Sequence, residues 1–318
     1  AKPVNNRMVN AFDYVPYLNS SLFEINPEEK AGITIGALSA DAKIPYYQKT
    51  VIKDSLGRRK SGEVNTLDYL FEFLDAYDFG NDNTEELEDD TKPLISASVL
   101  GLIFEKINGY KDGSFFTPSS VTMFMARQLI QRVVLERFRD EFKQDLTDAS
   151  WIELKRYCNK HSHKEAFIKR ALTIINKITV CDPAVGSGHY LVSVLNEIIF
   201  IKYELWLFAH KGMRLDLLND ELHISLDDEW FQYKRPASFD SSNHQLQKSL
   251  FEEKQRIIEN QLFGVDINPN STQITKLRLW IELLKHSYYD SNYQLVTLPN
   301  IDINIKTGNS VVHRFGLM

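Results

Sequence analysis

Asp182-Pro183-Ala184-Val185-Gly186-Ser187-Gly188 places a carboxylate a few residues ahead of two glycines. An apolar lead-in from Lys177 precedes it, and a helical pattern follows from His189. Glycines at 186 and 188 let the chain turn tightly and let a ligand reach the backbone without meeting a Cβ. Helix amides at His189 and Tyr190 would follow the turn, so the positive end of a helix could face a carboxylate or phosphate. A Gly-x-Gly turn by itself is weak evidence, and Leu191 stands where a dinucleotide-binding turn carries its third small residue. That argues against a nicotinamide or flavin dinucleotide.

A second acidic residue, Asp266, closes the apolar run "LFGVD" before "INPN". A carboxylate at that place can accept both hydroxyls of a ribose. Its distance from the glycine turn far exceeds the usual spacing of about 20 residues, so an insertion is required. Asp266 is also a candidate helix cap, because Asp before Asn-Pro-Asn is ordinary cap chemistry. His161 and His163 lack partners at metal-ligand spacing and read as solvated side chains. No metal site is expected.

These residues need strands to present them. The strand–turn–helix pattern occurs from Lys177 and again over Asn260–Leu284, and "IDINIKTGNSVV" (Ile301–Val312) reads as a third strand and turn. Strands alternating with helices imply an α/β fold with a parallel, doubly wound sheet. Ligands in such sheets lie beyond the carboxyl ends of the strands, here Asp182–Gly188, Asp266–Asn268 and Gly308–Ser310. Helical patterns are expected over Leu67–Phe79, Ser96–Ile107 and Ser119–Arg139, and through 140–176. Thr117-Pro118 reads as a helix start, with a hydroxyl near the cap and proline in the first turn. The acidic stretch Gly80–Pro93 reads as a surface linker, and the basic loop Leu56–Gly62 as a solvated turn. The expected division is a mainly helical region over 1–110 and a ligand-binding domain over 111–318, with a helical insertion around 196–258.

Bulk composition narrows the class. The 318 residues are 43% hydrophobic and 25% charged, values of a globular chain. No apolar run of about 18 residues is present, so no membrane span or membrane partner is expected. Two cysteines, Cys158 and Cys181, are too few for a disulfide framework, and a reducing cytoplasm fits. Net charge −6 argues against tight nucleic-acid binding by this chain alone. The first residue, Ala1, suggests a processed or excised piece.

"DPAVGSGHYL" resembles the first motif of adenine-N6 DNA methyltransferases, Asp-Pro-Ala-x-Gly-Ser-Gly-x-Phe-Leu, departing only at Tyr190. "FFTPSSVTMFMA" (Phe115–Ala126) is similar to the Thr-Pro segment upstream of that motif. "LFGVDINP" and "LPNIDINIKTGNS" resemble the second and third motifs. "VPYLNSSLFE", "LDYLFEFLDAYDF" and "VLGLIFEKINGYKDGSFFTP" are similar to the region before the methyltransferase domain in large single-chain restriction-modification enzymes and some phage-defence methylases. The resemblance implies a Rossmann-like S-adenosylmethionine-dependent methyltransferase sheet, present in part. It implies that Ala184, Gly186 and Gly188 border the methionine moiety and that Asp182 anchors its amino group. Thr117 and Pro118 would close over the methionine carboxylate, Asp266 would hold the ribose, Ile267 would pack on adenine, and Asn309 would stand near the adenine amino group.

The family's catalytic motif, Asn-Pro-Pro-aromatic, receives the flipped-out base. It is absent: the only Asn-Pro pairs are Asn26-Pro27 and Asn268-Pro269, without a second proline. The expectation is therefore the cofactor-binding portion of a methyltransferase, inactive by itself, whose DNA contacts reside in parts this chain lacks. Two other readings stand beside it: a non-catalytic S-adenosylmethionine-binding scaffold or subunit, and an RNA or protein methyltransferase. The sequence assigns no oligomeric state.

Overall fold

A computed structural model describes residues 42–77, 117–218, 220–296 and 304–311. The segments expected as helix over Ser96–Ile107 and as linker over Gly80–Pro93 lie outside the described residues, as do Val15–Glu24 and Phe115–Phe116. The described residues fall into two compact units, 42–77 and 117–311.

In the smaller unit, β1 (Lys43–Pro45) pairs antiparallel with β2 (Glu63–Asn65), and α1 (Thr66–Asp75) follows directly. Asn65 starts α1 by accepting a hydrogen bond from the Leu67 amide. The helix is shorter than the hydrophobic spacing suggests, and none of its residues is buried. The basic loop is exposed; Arg58 bonds Asp54, and Lys60 reaches Glu72 on α1 at 2.8 Å.

In the larger unit, helices come first: α2 (Ser119–Glu141), α3 (Lys143–Leu146), α4 (Trp151–His161) and α5 (Glu165–Asn176). Along α2 the buried residues Thr122, Ala126, Ile130, Val134 and Phe138 recur every fourth position, one continuous stripe. The Thr117-Pro118 start signal works differently from its expectation. Pro118 is itself the cap residue, in extended conformation, and no side chain caps the helix. α4 starts with a reciprocal capping box between Ser150 and Glu153.

The central sheet is parallel, with β7 (Leu262–Asp266) between β3 (Val180–Asp182) and β8 (Ile305–Thr307). α6 (His189–Glu204) follows β3, and α8 (Pro269–Leu284) follows β7. Residues 191–199 of α6 are all buried, so this helix is the axis of the core. It packs lengthwise on α2.

The stretch 196–258 corrects the sequence reading. It holds the end of α6 and the long α7 (Ser242–Asn260), but between them lies an antiparallel meander: β4 (Met213–Leu218), β5 (Glu221–Leu226) and β6 (Glu229–Trp230). Its corners use aspartates with positive φ: Asp220 at 68°, Asp227 at 53° and Asp228 at 66°. Asp tolerates the left-handed region better than other non-glycine residues. Two consecutive such residues make the hairpin turn whose twist suits paired strands. "LDDE" was thus a hairpin signal that carried no glycine to advertise it. Among the described residues no helix is long and apolar enough to cross a membrane.

Candidate functional site at the parallel strand ends

The sheet register sets Asp182 level with Gly264, and Asp266 level with Thr307. The ends of β3, β7 and β8 therefore lie side by side. The glycine turn is sewn to β7 by two bonds: the Val185 amide donates to the Val265 carbonyl at 2.9 Å, and the Gly186 amide to Asp266 Oδ2 at 2.8 Å. Gly186 (φ 54°) and Gly188 (φ 80°) both occupy the left-handed region. Gly188 also caps α6. A Cβ there would lie 2.8 Å from Thr275 Cγ2, so the bare backbone at 188 serves the approach of α8.

Asp266 uses its other oxygen to accept from the Asn268 amide at 2.8 Å. The cap of α8 is Asn268, whose side chain accepts from the Asn270 amide, with Pro269 in the first turn. The cap reading of Asp266 thus passes to its neighbour, and Asp266 links the two strand ends instead. Ile267 is 71% exposed. An isoleucine standing that far into solvent beside a carboxylate offers a flat ligand an apolar surface.

Asp182 Oδ1 accepts from the Ala184 amide at 3.0 Å. Burial raises the Asp182 pKa; the Ala184 amide opposes this, and the nearby Asp266 carboxylate adds to it. A cation placed beside Asp182 would favour its ionised form. Burial lowers the His189 pKa to about 4, assisted by the charge of Arg278, so the first residue of α6 is neutral at pH 7.

Asn309 follows β8. Its side chain accepts from the Val311 amide, and the neighbouring Gly308 amide donates to the Asp266 carbonyl at 2.8 Å. The strand ends therefore gather Asp182, Ala184, Gly186, Gly188, Asp266, Ile267 and Asn309. Thr117 and Pro118 are exposed and make no hydrogen bond to the glycine turn. Their helix nonetheless starts beside α6, because Thr122 Oγ1 and Ser193 Oγ meet at 3.1 Å in the early turns of both.

Sequence reasoning missed the polar stripe of α8. Thr272, Thr275 and Arg278 recur every third residue and face the turns. Thr272 meets Thr307 at 2.9 Å, Thr275 donates to the Gly186 carbonyl at 2.9 Å, and Arg278 donates to the Ser187 carbonyl at 3.2 Å. The signal was the three-residue spacing of Thr272, Thr275 and Arg278, which sets them along one side of the helix. No group of three His, Cys, Asp or Glu side chains that could hold a metal ion exists among the described residues. His161 instead bonds the Tyr157 carbonyl.

Residues 1–95 match the domain of unknown function DUF7814. The chain is 28% identical over 313 residues to a protein of Methanocaldococcus jannaschii named as a type II restriction enzyme and methyltransferase. The match takes in 94% of this chain and 21% of that protein, so the chain spans about a fifth of its relative's length. Among solved structures it is similar to the type IIL restriction-modification enzyme MmeI in complex with DNA, with TM-score 0.42 and 14% identity over 79% of this chain and 26% of that one. The chain is thus similar, over nearly all of its length, to part of a protein named as a restriction enzyme and methyltransferase.

Proposed function

We propose that this chain is the cofactor-binding portion of a DNA methyltransferase that transfers a methyl group from S-adenosylmethionine to the N6 amine of adenine, in a restriction-modification or defence system. The observation that carries the reading is the joining of two acidic strand ends, Asp182 and Asp266, through the left-handed glycine turn, with exposed Ile267 beside them. The sheet is read as part of a Rossmann-like methyltransferase domain over 111–318, after a mainly helical region over 1–110.

The donor set fits the cofactor's chemistry. S-adenosylmethionine carries a sulfonium and an ammonium, and the raised Asp182 carboxyl gains from a cationic neighbour. Asp266 already accepts one backbone amide on each oxygen. A carboxylate has about four lone-pair sites, so both ribose hydroxyls can still donate to it. Ile267 would pack on adenine, Asn309 would stand toward the adenine amine, Ala184, Gly186 and Gly188 would border the methionine, and Thr117 and Pro118 would close over its carboxylate. The cofactor supplies a methyl group already activated by the sulfonium; the chain's residues bind and orient it. The chain contains no Asn-Pro-Pro-aromatic sequence, so it binds the cofactor without methylating DNA on its own.

Calorimetric titration of the chain with S-adenosylmethionine tests this. Saturable binding is expected, weakened about tenfold or more in Ile267→Asp, since a buried apolar contact of this size is worth about 1.5–3 kcal/mol. Because Ile267 is exposed, that variant keeps the fold. Asp266→Ala is expected to abolish binding, with circular dichroism reporting whether loss of the Gly186 bond disturbs the turn. A folded chain that gives no saturable heat, or an Ile267→Asp variant that binds as well as the parent, would sink the reading.

A further inference from the structure

Arg278 ties the start of α6 to α8 by two bonds, one to the Ser187 carbonyl at 3.2 Å and one to His189 Nδ1 at 3.3 Å. The second bond fixes the chemistry of His189. Arginine donates hydrogen bonds and accepts none, so Nδ1 is the accepting nitrogen. A neutral imidazole then carries its proton on Nε2. Burial and the Arg278 charge keep the ring neutral at pH 7. Burial works against the Arg278 charge, and the Asp220 and Glu282 carboxylates favour it, so the donor on α8 is itself held from behind.

His189 is half-buried, and its Nε2 has no partner among the described residues, yet it is not sealed from solvent. The two nitrogens lie on opposite sides of the ring, so Nε2–H turns away from Arg278. α2 runs along the same face of α6. Ser193, one turn beyond His189, meets Thr122 at 3.1 Å, and farther along the Arg127 charge acts on Glu197. The two helices therefore run in the same sense and their starts adjoin. One turn back from Thr122 is Pro118, which this pairing sets level with His189. Neither helix has a side chain capping its first amides. Two positive helix ends and a neutral N–H donor thus border one opening, beside exposed Thr117 and Pro118. An anionic group is their complement.

We infer that His189 donates from Nε2 to the carboxylate at the methionine end of S-adenosylmethionine, and that Arg278 is the positioning residue that fixes its ring and tautomer for this contact. The inference rests on the cofactor reading above and adds to it a residue that sets specificity for the amino-acid end. A neutral donor suits this ligand. A charged imidazolium would repel the ammonium and sulfonium of the same molecule, whereas a neutral N–H binds the carboxylate without that cost.

Calorimetric titration of the full chain with S-adenosylmethionine and with its decarboxylated analogue tests this. His189→Phe keeps a ring and removes both nitrogens. It is expected to bind S-adenosylmethionine about tenfold more weakly, the loss of one hydrogen bond to a charged group, and to bind the decarboxylated analogue as the parent does. His189→Gln, whose amide both accepts and donates, is expected to restore part of the affinity. Nitrogen NMR spectra of the parent should show His189 as the Nε2–H tautomer. Arg278→Met should mix the tautomers and weaken S-adenosylmethionine more than the analogue. A disturbed fold would weaken both ligands alike, so the ratio of the two affinities isolates the contact. Equal weakening of both ligands in His189→Phe, an unchanged affinity of that variant for S-adenosylmethionine, or an Nδ1–H tautomer in the parent overturns the inference. Binding that is lost in Ile267→Asp but kept in His189→Phe sinks this inference alone and leaves the cofactor reading standing; no saturable heat with either ligand sinks both.

Discussion

Gly188 meets two demands at one position. Its φ of 80° excludes most side chains, and Thr275 occupies the space where a Cβ would project. Gly188→Ala is therefore expected to destabilise the protein by about 2–3 kcal/mol, the left-handed backbone costing about 1 and the contact the remainder. Thr275→Ser removes the offending methyl but keeps the hydroxyl that donates to the Gly186 carbonyl. The double variant should recover the methyl's share of the contact cost and not the backbone part, since Thr275 Oγ1 also lies 3.0 Å from that Cβ, read as thermal denaturation of all four proteins. A single variant that melts like the parent would show that α8 yields freely at this point. The glycine spacing was legible in the sequence. The reason for the second glycine was not, since its neighbour lies far along the chain.

Two helices that the sequence presents as polar on one side are joined through buried charge. Lys254 of α7 lies 2.8 Å from Glu282 Oε2 of α8, and Lys285 lies 2.7 Å from Glu282 Oε1. Burial works against the Glu282 charge, but Lys254 and Lys285 outweigh it and bring its pKa down to about 2. Lys254 also donates to the Glu282 carbonyl at 3.1 Å. Removing Lys254 leaves one buried oxygen of Glu282 without its cation, while Lys285 still holds the other. Lys254→Met is expected to cost about 3–5 kcal/mol, while Lys254→Met with Glu282→Met recovers most of it, because a buried pair exchanged for apolar side chains is near neutral. Urea denaturation of the single and double variants measures the difference; equal losses in both would mean that packing, not charge, joins the helices. The pattern "FEEKQRIIEN" announces a helix, but nothing in it marks Lys254 as the buried cation.

Across the larger unit, acidic groups are buried where α6 meets its neighbours. Burial raises Asp220 to a pKa of about 7, the Ser193 hydroxyl opposing and the Glu282 charge assisting. Glu197 is raised to about 7 by burial, with Arg127 opposing. Such groups hold their protons more tightly folded than unfolded. Their contribution to stability is present below the ordinary carboxylate range and is lost as pH rises through about 7. His189 has the opposite sign: its stability is present above the ordinary histidine value and is lost as pH falls toward 4. Asp220→Asn isolates one of these groups, and asparagine tolerates the positive φ of that corner. Its stability relative to the parent is expected to grow between pH 4 and pH 8, reaching about 1–3 kcal/mol. Melting curves of both proteins across that range give the answer, and a difference that does not change with pH would refute the assignment to ionisation.

What the sequence determined by itself was local. Glycines at 186 and 188 dictate a tight turn, and the apolar runs ending in Asp182 and Asp266 dictate strand ends, because each depends on residues within a few positions. Tertiary structure alone decided which of these meet. Parallel strands are joined by long crossovers, so the bond between Gly186 and Asp266 spans 80 residues and no local pattern encodes it. The meander over 213–230 escaped notice because its corners are aspartates with positive φ, where a glycine would have signalled a turn. Position along the chain specifies conformation; burial, and hence the charge state and partners of each polar group, follows from what the rest of the chain places around it.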